Sequence, residues 1–255
     1  MNRILAVAAD RSRSGWSIVR RHPRQVGAAV AAVCAVTAGL LVVFRPGEPT
    51  VDPDAYRQEL VAVNDIPAES FVNWVGDPIE LMPALSTPDP SVTTTNPDCL
   101  PGGDRQRAVQ KMVFTGTRWS GERFVNAGSS QVITVHLSNS PHGDVETLDG
   151  WLTDCADTAL SVDGVATTLS LRSLPVDPAY YGIDTARVWA STVRNDNGSV
   201  ASTLTAYGVS GAVTMQVDLT FPTEVSDAAI TQLDAVWRAQ AAKLVGMQSV
   251  GGGAA

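Results

Sequence analysis

Lysine, histidine and cysteine are scarce in this chain of 255 residues. Lys111 and Lys243 are the lysines, His22, His136 and His142 the histidines, and Cys34, Cys99 and Cys155 the cysteines. No C-x-x-C or H-x-x-x-H spacing occurs, so the familiar tetrahedral zinc arrangements are not written here. G-x-S-x-G, P-loop, EF-hand and dinucleotide fingerprints are absent as well, which removes the commonest sequence signals of hydrolases, nucleotide enzymes and calcium sensors. Positive charge is confined. The first 25 residues hold six arginines (Arg3, Arg11, Arg13, Arg20, Arg21 and Arg24) against Asp10, and the rest of the chain balances at 12 − 25 = −13. A body that acidic repels phosphate backbones, so no nucleic-acid partner is expected.

One long apolar run is present. Val26 to Phe44 carries no charge and is bounded by Arg24 and Arg45; as a helix it would span about 28 Å, enough for the hydrocarbon core of a bilayer. Arg45-Pro46-Gly47-Glu48-Pro49 is a poor cleavage site, and Cys34 lies mid-run without the small residue and upstream leucine of a lipoprotein signal. The sequence therefore predicts a basic cytoplasmic arm (1–25), a transmembrane helix (26–44) and an extracytoplasmic remainder, with orientation set by the upstream arginines. On the oxidising side Cys99 and Cys155 would be joined, closing a long loop for which the chain-entropy model gives roughly 4 kcal/mol. The competing arrangement, two thiols sharing a metal with His136 or His142, lacks a ligand spacing; no metal or cofactor is expected.

Residues 45–104 read as a stalk rich in Pro, Ser and Thr, with a short helix over Asp54–Val63 whose stripe is Tyr56, Leu60 and Val63. The Ser-Thr-Pro cluster between Ser86 and Pro97 fits an extended spacer, or an O-glycosylated loop. From Arg105 to Gly246 a regular domain is expected. Strands are predicted over Gln110–Trp119 and Ser130–Ser138, and a helix from Asp144 to Ser161 with stripe Leu148, Leu152, Cys155 and Ala159. Four more strands follow at Val165–Arg172, Thr185–Arg194, Ser199–Val209 and Gly211–Phe221, the last three joined by the turns Asn195-Asp196-Asn197-Gly198 and Gly208-Val209-Ser210-Gly211. Ser226 would cap a final helix carrying Ile230, Leu233, Trp237, Ala241 and Leu244 on one face, and 247–255 would be a tail. The expected fold class is α+β: an antiparallel sheet of about six strands with two long helices on one face, in the order β-β-α-β-β-β-β-α, preceded by the membrane helix.

Helices on one face would leave the other partly open. Its predicted lining is Arg187, Trp189, Tyr207, Thr214, Gln216 and Asp218, polar groups with two large aromatics. The loop Asp177-Pro178-Ala179-Tyr180-Tyr181-Gly182 adds Tyr180 and Tyr181 as a second candidate binding element. Catalytic residues are not expected. His142 in Asn139-Ser140-Pro141-His142-Gly143-Asp144 is the one candidate base of a hydrolase, though such a sequence equally describes a turn and helix cap. The carboxylate pairs Asp144/Glu146 and Asp154/Asp157 suit helix surfaces.

A basic arm, one membrane helix, a Pro/Thr-rich stalk and a β-β-α-β-β-β-β-α domain with Cys155 in its first long helix resembles the extracytoplasmic sensor-type domains of mycobacteria. These form the external C-terminus of membrane serine/threonine kinase H and occur in related small exported proteins. Arginine over lysine and the Ala/Val/Thr richness suit an actinobacterial chain. The resemblance covers about residues 50–246 and implies a sensor-like domain around a polar cleft, braced in its relatives by two disulfides where this chain can make one. The resulting reading is a non-catalytic, membrane-anchored module of the cell envelope binding a protein or small molecule. An accessory subunit of an envelope or export complex is the alternative, and a hydrolase a third.

Overall fold

The computed structural model describes residues 51–67, 71–140 and 145–251. The basic arm, the apolar run at 26–44, Cys34, His142 and the last residues of the tail lie outside them. Among the described residues no helix is long and apolar enough to cross a membrane.

Nine strands make one antiparallel sheet: β1 (Trp74–Ile79), β2 (Val92–Thr94), β3 (Trp119–Asn126), β4 (Val132–Ser138), β5 (Asp157–Val162), β6 (Val165–Leu174), β7 (Thr185–Asn195), β8 (Val200–Ser210) and β9 (Val213–Phe221). Their spatial order is β1-β3-β4-β9-β8-β7-β6-β5-β2. Four helices accompany them: α1 (Asp104–Lys111), α2 (Val145–Asp154), the single turn α3 (Pro178–Tyr181) and α4 (Asp227–Gly251). The expected α+β fold, an antiparallel sheet of about six strands with two long helices on one face, is thus corrected: the described residues are mostly β, with nine strands, helices on both faces, and α4 as their one long helix.

The local chemistry accounts for the differences. Gln110–Trp119, expected as a strand, instead ends α1 and turns into β3, because Gly102-Gly103-Asp104 starts a helix whose buried side is Gln106 and Val109. The helix expected to run to Ser161 stops at Asp154. Asp157-Thr158-Ala159-Leu160-Ser161-Val162 alternates with period two and buries Thr158, Leu160 and Val162 while exposing Ala159. Asp163 and Gly164, at φ 50° and 81°, close a two-residue hairpin onto β6 with Val162 opposite Val165. Segment 45–104, expected as a stalk, supplies both edge strands of the sheet from residue 74 onward. Pro78 in β1 is compatible with an edge, where no outward N–H is needed.

The decisive feature is that β7 and β8 are apolar on both sides. Side chains alternate across a strand, so Ala186, Ala190, Leu204 and Ala206 enter one core while Trp189, Val193, Tyr207 and Val209 enter another on the opposite face. The first core is closed by α4, whose Leu233, Val236, Trp237, Ala241 and Leu244 lie over β8 and β9. The Trp237 ring reaches Gly208 so closely that an added Cβ would lie 2.8 Å from it. The second core is closed by Val109 of α1 and by Leu148, Trp151 and Leu152 of α2.

The N-terminal segment packs beside α4. The stripe Tyr56, Leu60, Val61 and Ile66 is buried in the first core as turns and a short 3-10 helix, not as the expected regular helix. Gln240, fully buried, accepts from the Val61 N–H at 2.9 Å and donates to the Glu59 carbonyl at 2.8 Å. Lys243 reaches the Leu60 carbonyl and Asp65. Replacing Gln240 by Leu strands one buried donor and one buried acceptor, and should cost about 2–4 kcal/mol. Chemical denaturation of Gln240→Leu measures that loss, while Gln240→Glu should retain the bond from Val61.

Candidate functional site

The predicted site residues part company in the structure. Arg187 is engaged by α2: its Nε and Nη2 both donate to the Asp149 carboxylate at 2.9 Å, and Nη1 donates to its own strand at the Ala186 carbonyl. Trp189 and Tyr207 are buried in the second core beneath α1 and α2. They hold the helix layer to the sheet and are not the aromatic lining of an open face. Tyr180 and Tyr181 lie on the other side of the sheet, against α4. The Tyr181 hydroxyl donates to Asp234 at 2.6 Å, its ring meets Trp237, and Tyr180 is 60% exposed under the Arg238 guanidinium at 4.6 Å. Burial and the Asp234 hydrogen bond push the Tyr181 phenol well above its usual range. The loop and the sheet face are therefore separate surfaces.

Gln216 and Asp218 remain on the second face as a polar strip. The Asp218 carboxylate accepts from Thr205 Oγ1 at 2.7 Å, Gln216 Nε2 at 2.7 Å and Thr134 Oγ1 at 3.4 Å. Thr134, Asp218, Thr205 and Trp189 stand in one lateral row across β4, β9, β8 and β7, and Thr220, Thr203 and Ser191 in the next. Thr203 and Thr220 share a hydrogen bond at 3.1 Å. Desolvation raises the Asp218 pKa, against the three hydrogen bonds that lower it.

His136, on the same face, is buried between Trp119, stacked at 5.8 Å, and Phe114, edge-on at 5.1 Å. Its Nδ1 has no partner among the described residues, and burial drops its pKa to about 3. A ring held neutral in an aromatic cage suits packing, not proton transfer near neutrality.

A cavity that the sequence reading missed lies between the helix layer and the sheet, at the β5-β6-β7 end of this face. Leu160, Val162, Leu169 and Val193 form its floor and Trp151 of α2 and Leu100-Pro101 its roof, and its volume of about 20 Å³ has room for a water molecule or two. Cys99 borders it and is joined to Cys155 at a Cα separation of 5.4 Å. The disulfide fastens the segment before α1 to the end of α2, beside the Arg105–Asp154 ion pair. Gln110 of α1 holds Ser86 through two hydrogen bonds, 2.8 and 2.7 Å, so the Pro/Ser/Thr stretch is pinned against the domain.

Two polar groups face the apolar lining. Gln106, 7% exposed, accepts from the Gly102 N–H at 2.5 Å through Oε1. That bond fixes which end of the amide is oxygen. Ser191, 8% exposed, adds a hydroxyl from β7. Among the described residues no cluster of three or more His, Cys, Asp or Glu is suited to a metal ion. The cavity had no local sequence signature, since its walls come from β2, the Cys99–Pro101 turn, α1, α2 and three further strands; alternation in β5 and the Cys99–Cys155 pairing were the available clues.

Comparison with known proteins adds one finding. No protein family matches the sequence, and no curated protein matches it. Among solved structures the chain is similar to the extracellular domain of PknH from Mycobacterium tuberculosis, at 13% identity and a TM-score of 0.38, over 76% of this chain and 98% of that one. The resemblance is weak.

His136 and Asp218 set opposite pH dependences. His136 binds its proton less readily folded than unfolded, so its contribution is full above about pH 6.5 and is lost as pH falls toward 3. Asp218 binds its proton more readily folded, so its contribution is present at low pH and lost as pH rises above the usual carboxylate range. Unfolding free energies measured from pH 3.5 to 7 should show a flatter acid limb in His136→Phe, and in Asp218→Asn a smaller loss on going from acid to neutral pH.

Proposed function

We propose that the protein is a non-catalytic binding module of the cell envelope, tethered by its N-terminal apolar run with the sheet domain on the extracytoplasmic side, and that it engages its partner along the polar strip of the second sheet face. The observation that carries this reading is the strip itself: Thr134, Gln216, Asp218 and Thr220 stand side by side on β4 and β9 and keep partial contact with solvent. A row of donors and acceptors of this kind orients a polar partner without reacting with it. The bridge Cys99–Cys155 supports the oxidising location, because reducing compartments do not favour structural disulfides.

The non-catalytic part of the reading rests on the neighbouring groups. His136 is neutral and caged, Arg187 is occupied by Asp149, and Asp218 is held by hydroxyl and amide donors with no base or nucleophile poised beside it among the described residues. For the accessory-subunit alternative, Tyr56, Leu60 and Val61 of the 54–63 segment are buried in the first core.

Location and pairing are tested together on the full chain in spheroplasts with a membrane-impermeant maleimide. Cys99 and Cys155 should label only after external reduction under mild denaturation. Labelling without reduction, or protection until the membrane is broken, would overturn the assignment.

A further inference from the structure

β1 is an open edge: β3 lies on one side of it and no strand on the other. The opposite edge, β2, has three residues and stands between Pro90 and Pro97. The ladder fixes where the free backbone groups of β1 point. The Asn73 carbonyl accepts from the Ala127 N–H, just past β3, at 2.9 Å. Such bonds recur at every second residue of an antiparallel strand, so Val75, Asp77 and Ile79 bond β3, while Trp74, Gly76 and Pro78 turn their backbone groups outward. Proline at an outward position removes a donor that β3 does not use. The outward N–H groups of Trp74 and Gly76 meet no acceptor among the described residues. Apolar side chains gather at the same edge, with Val72, Val75 and Leu81 exposed by 62%, 58% and 43%.

The chain also enters the domain here. Asp52 takes up β3 where β1 has ended: its N–H donates to the Thr117 carbonyl at 2.8 Å and its carbonyl accepts from Trp119 at 3.0 Å. Residues 45–50 separate Val51 from the apolar run ending at Phe44, and six residues reach at most about 20 Å. Anchored copies therefore carry their β1 edges at one height above a shared bilayer.

Resting on the tethering in the reading above, we propose that two copies of this chain pair along β1, antiparallel, with Val75 facing its counterpart at the twofold axis. In that register Trp74 of each copy lies opposite Gly76 of the other, and each pair exchanges both of its N–H···O bonds. The missing N–H of Pro78 is never called on. A register moved by two residues would set Trp74 against Pro78 and leave the Trp74 carbonyl without a donor. The two Val75 side chains form a non-hydrogen-bonded pair, with Cβ atoms about 5 Å apart. Asp77 falls opposite Asn73 of the second copy, so the two Asp77 carboxylates are about 14 Å apart, beyond a screening length of about 8 Å at physiological salt.

A single edge pair covers well under the roughly 1,200 Å² of a stable interface, so the dimer depends on the anchor to raise the effective concentration of one edge at another. Asp77, Arg123, Thr134 and Asp218 stand in one row across β1, β3, β4 and β9. Pairing at β1 thus places the polar strips of both copies on one face of a continuous sheet.

The test uses the full chain in spheroplast membranes, with Cys34 replaced by Ser. Under mild oxidation by copper phenanthroline, Val75→Cys should run as a disulfide-linked dimer on a non-reducing gel, and Asp77→Cys should link at least tenfold less. Equal linkage of the two variants, or linkage of Val75→Cys to a different protein, overturns the proposal. An unlinked Val75→Cys that a membrane-impermeant maleimide labels from outside overturns the pairing and leaves the tethered reading standing. Labelling only after the membrane is broken overturns both.

Discussion

Everything in this fold follows from a sheet whose central strands are greasy on two sides at once. β7 and β8 send Ala186, Ala190, Leu204 and Ala206 one way and Trp189, Val193, Tyr207 and Val209 the other. A strand with both faces apolar must be covered on both. α4 and the 51–66 segment cover the first face, and α1 with α2 cover the second. The two covers differ in kind. α4 is a single long helix held through Gln240 and Lys243, whereas the second cover is two short helices whose ends are fastened by Cys99–Cys155, Arg105–Asp154 and Arg187–Asp149. Two short helices fill a broad sheet face incompletely, and the cavity is the space left between them and β5-β6-β7.

That origin explains why the polar strip stands beside the cavity. On β9 the second-face positions are Thr214, Gln216, Asp218 and Thr220 and on β4 Thr134, His136 and Ser138, whereas β7 and β8 add Trp189, Val193, Tyr207 and Val209 to Ser191, Thr203 and Thr205. The boundary between helix-covered and uncovered sheet is thus a boundary in side-chain chemistry, apolar under α2 and hydroxylated beyond it. Asp218 sits on the hydroxylated side, where it accepts from Thr205, Gln216 and Thr134. His136 sits nearby among Trp119 and Phe114, and Gly121 is required there because an added Cβ would lie 2.7 Å from the Trp119 ring.

How far the sequence revealed this depended on the range of the signal. The meander β7-β8-β9 was legible because strict alternation in Val213–Phe221 and two strong turns are local, and α4 because Leu233, Trp237, Ala241 and Leu244 keep helical spacing behind the Ser226 cap, whose Oγ accepts from Ala229 at 3.3 Å. The pairing of Cys99 with Cys155 was legible from their isolation in the remainder of the chain. α1 was obscured because Ala108, Val109, Met112 and Val113 mimic an apolar strand, and β5 because Leu148, Leu152, Cys155 and Ala159 keep helical spacing past the point where the helix ends. The edge strands β1 and β2 were hidden among prolines, where propensity opposes a sheet and tertiary pairing overrides it. Trp189 and Tyr207 share a face with Gln216 and Asp218, as alternation implies, but that face is covered by α1, where no helix was expected, and by α2, which had been expected on the face of α4.

The most direct measurement of the account is hydrogen–deuterium exchange on the full chain with the Cys99–Cys155 bridge intact and after its reduction. The account predicts lost protection confined to 99–111 and 145–162, with α4 and the Tyr180–Tyr181 loop unchanged. Loss centred on α4 or on that loop, or no loss at all, would contradict the claim that the second face of the sheet is covered separately, by helices that the disulfide fastens.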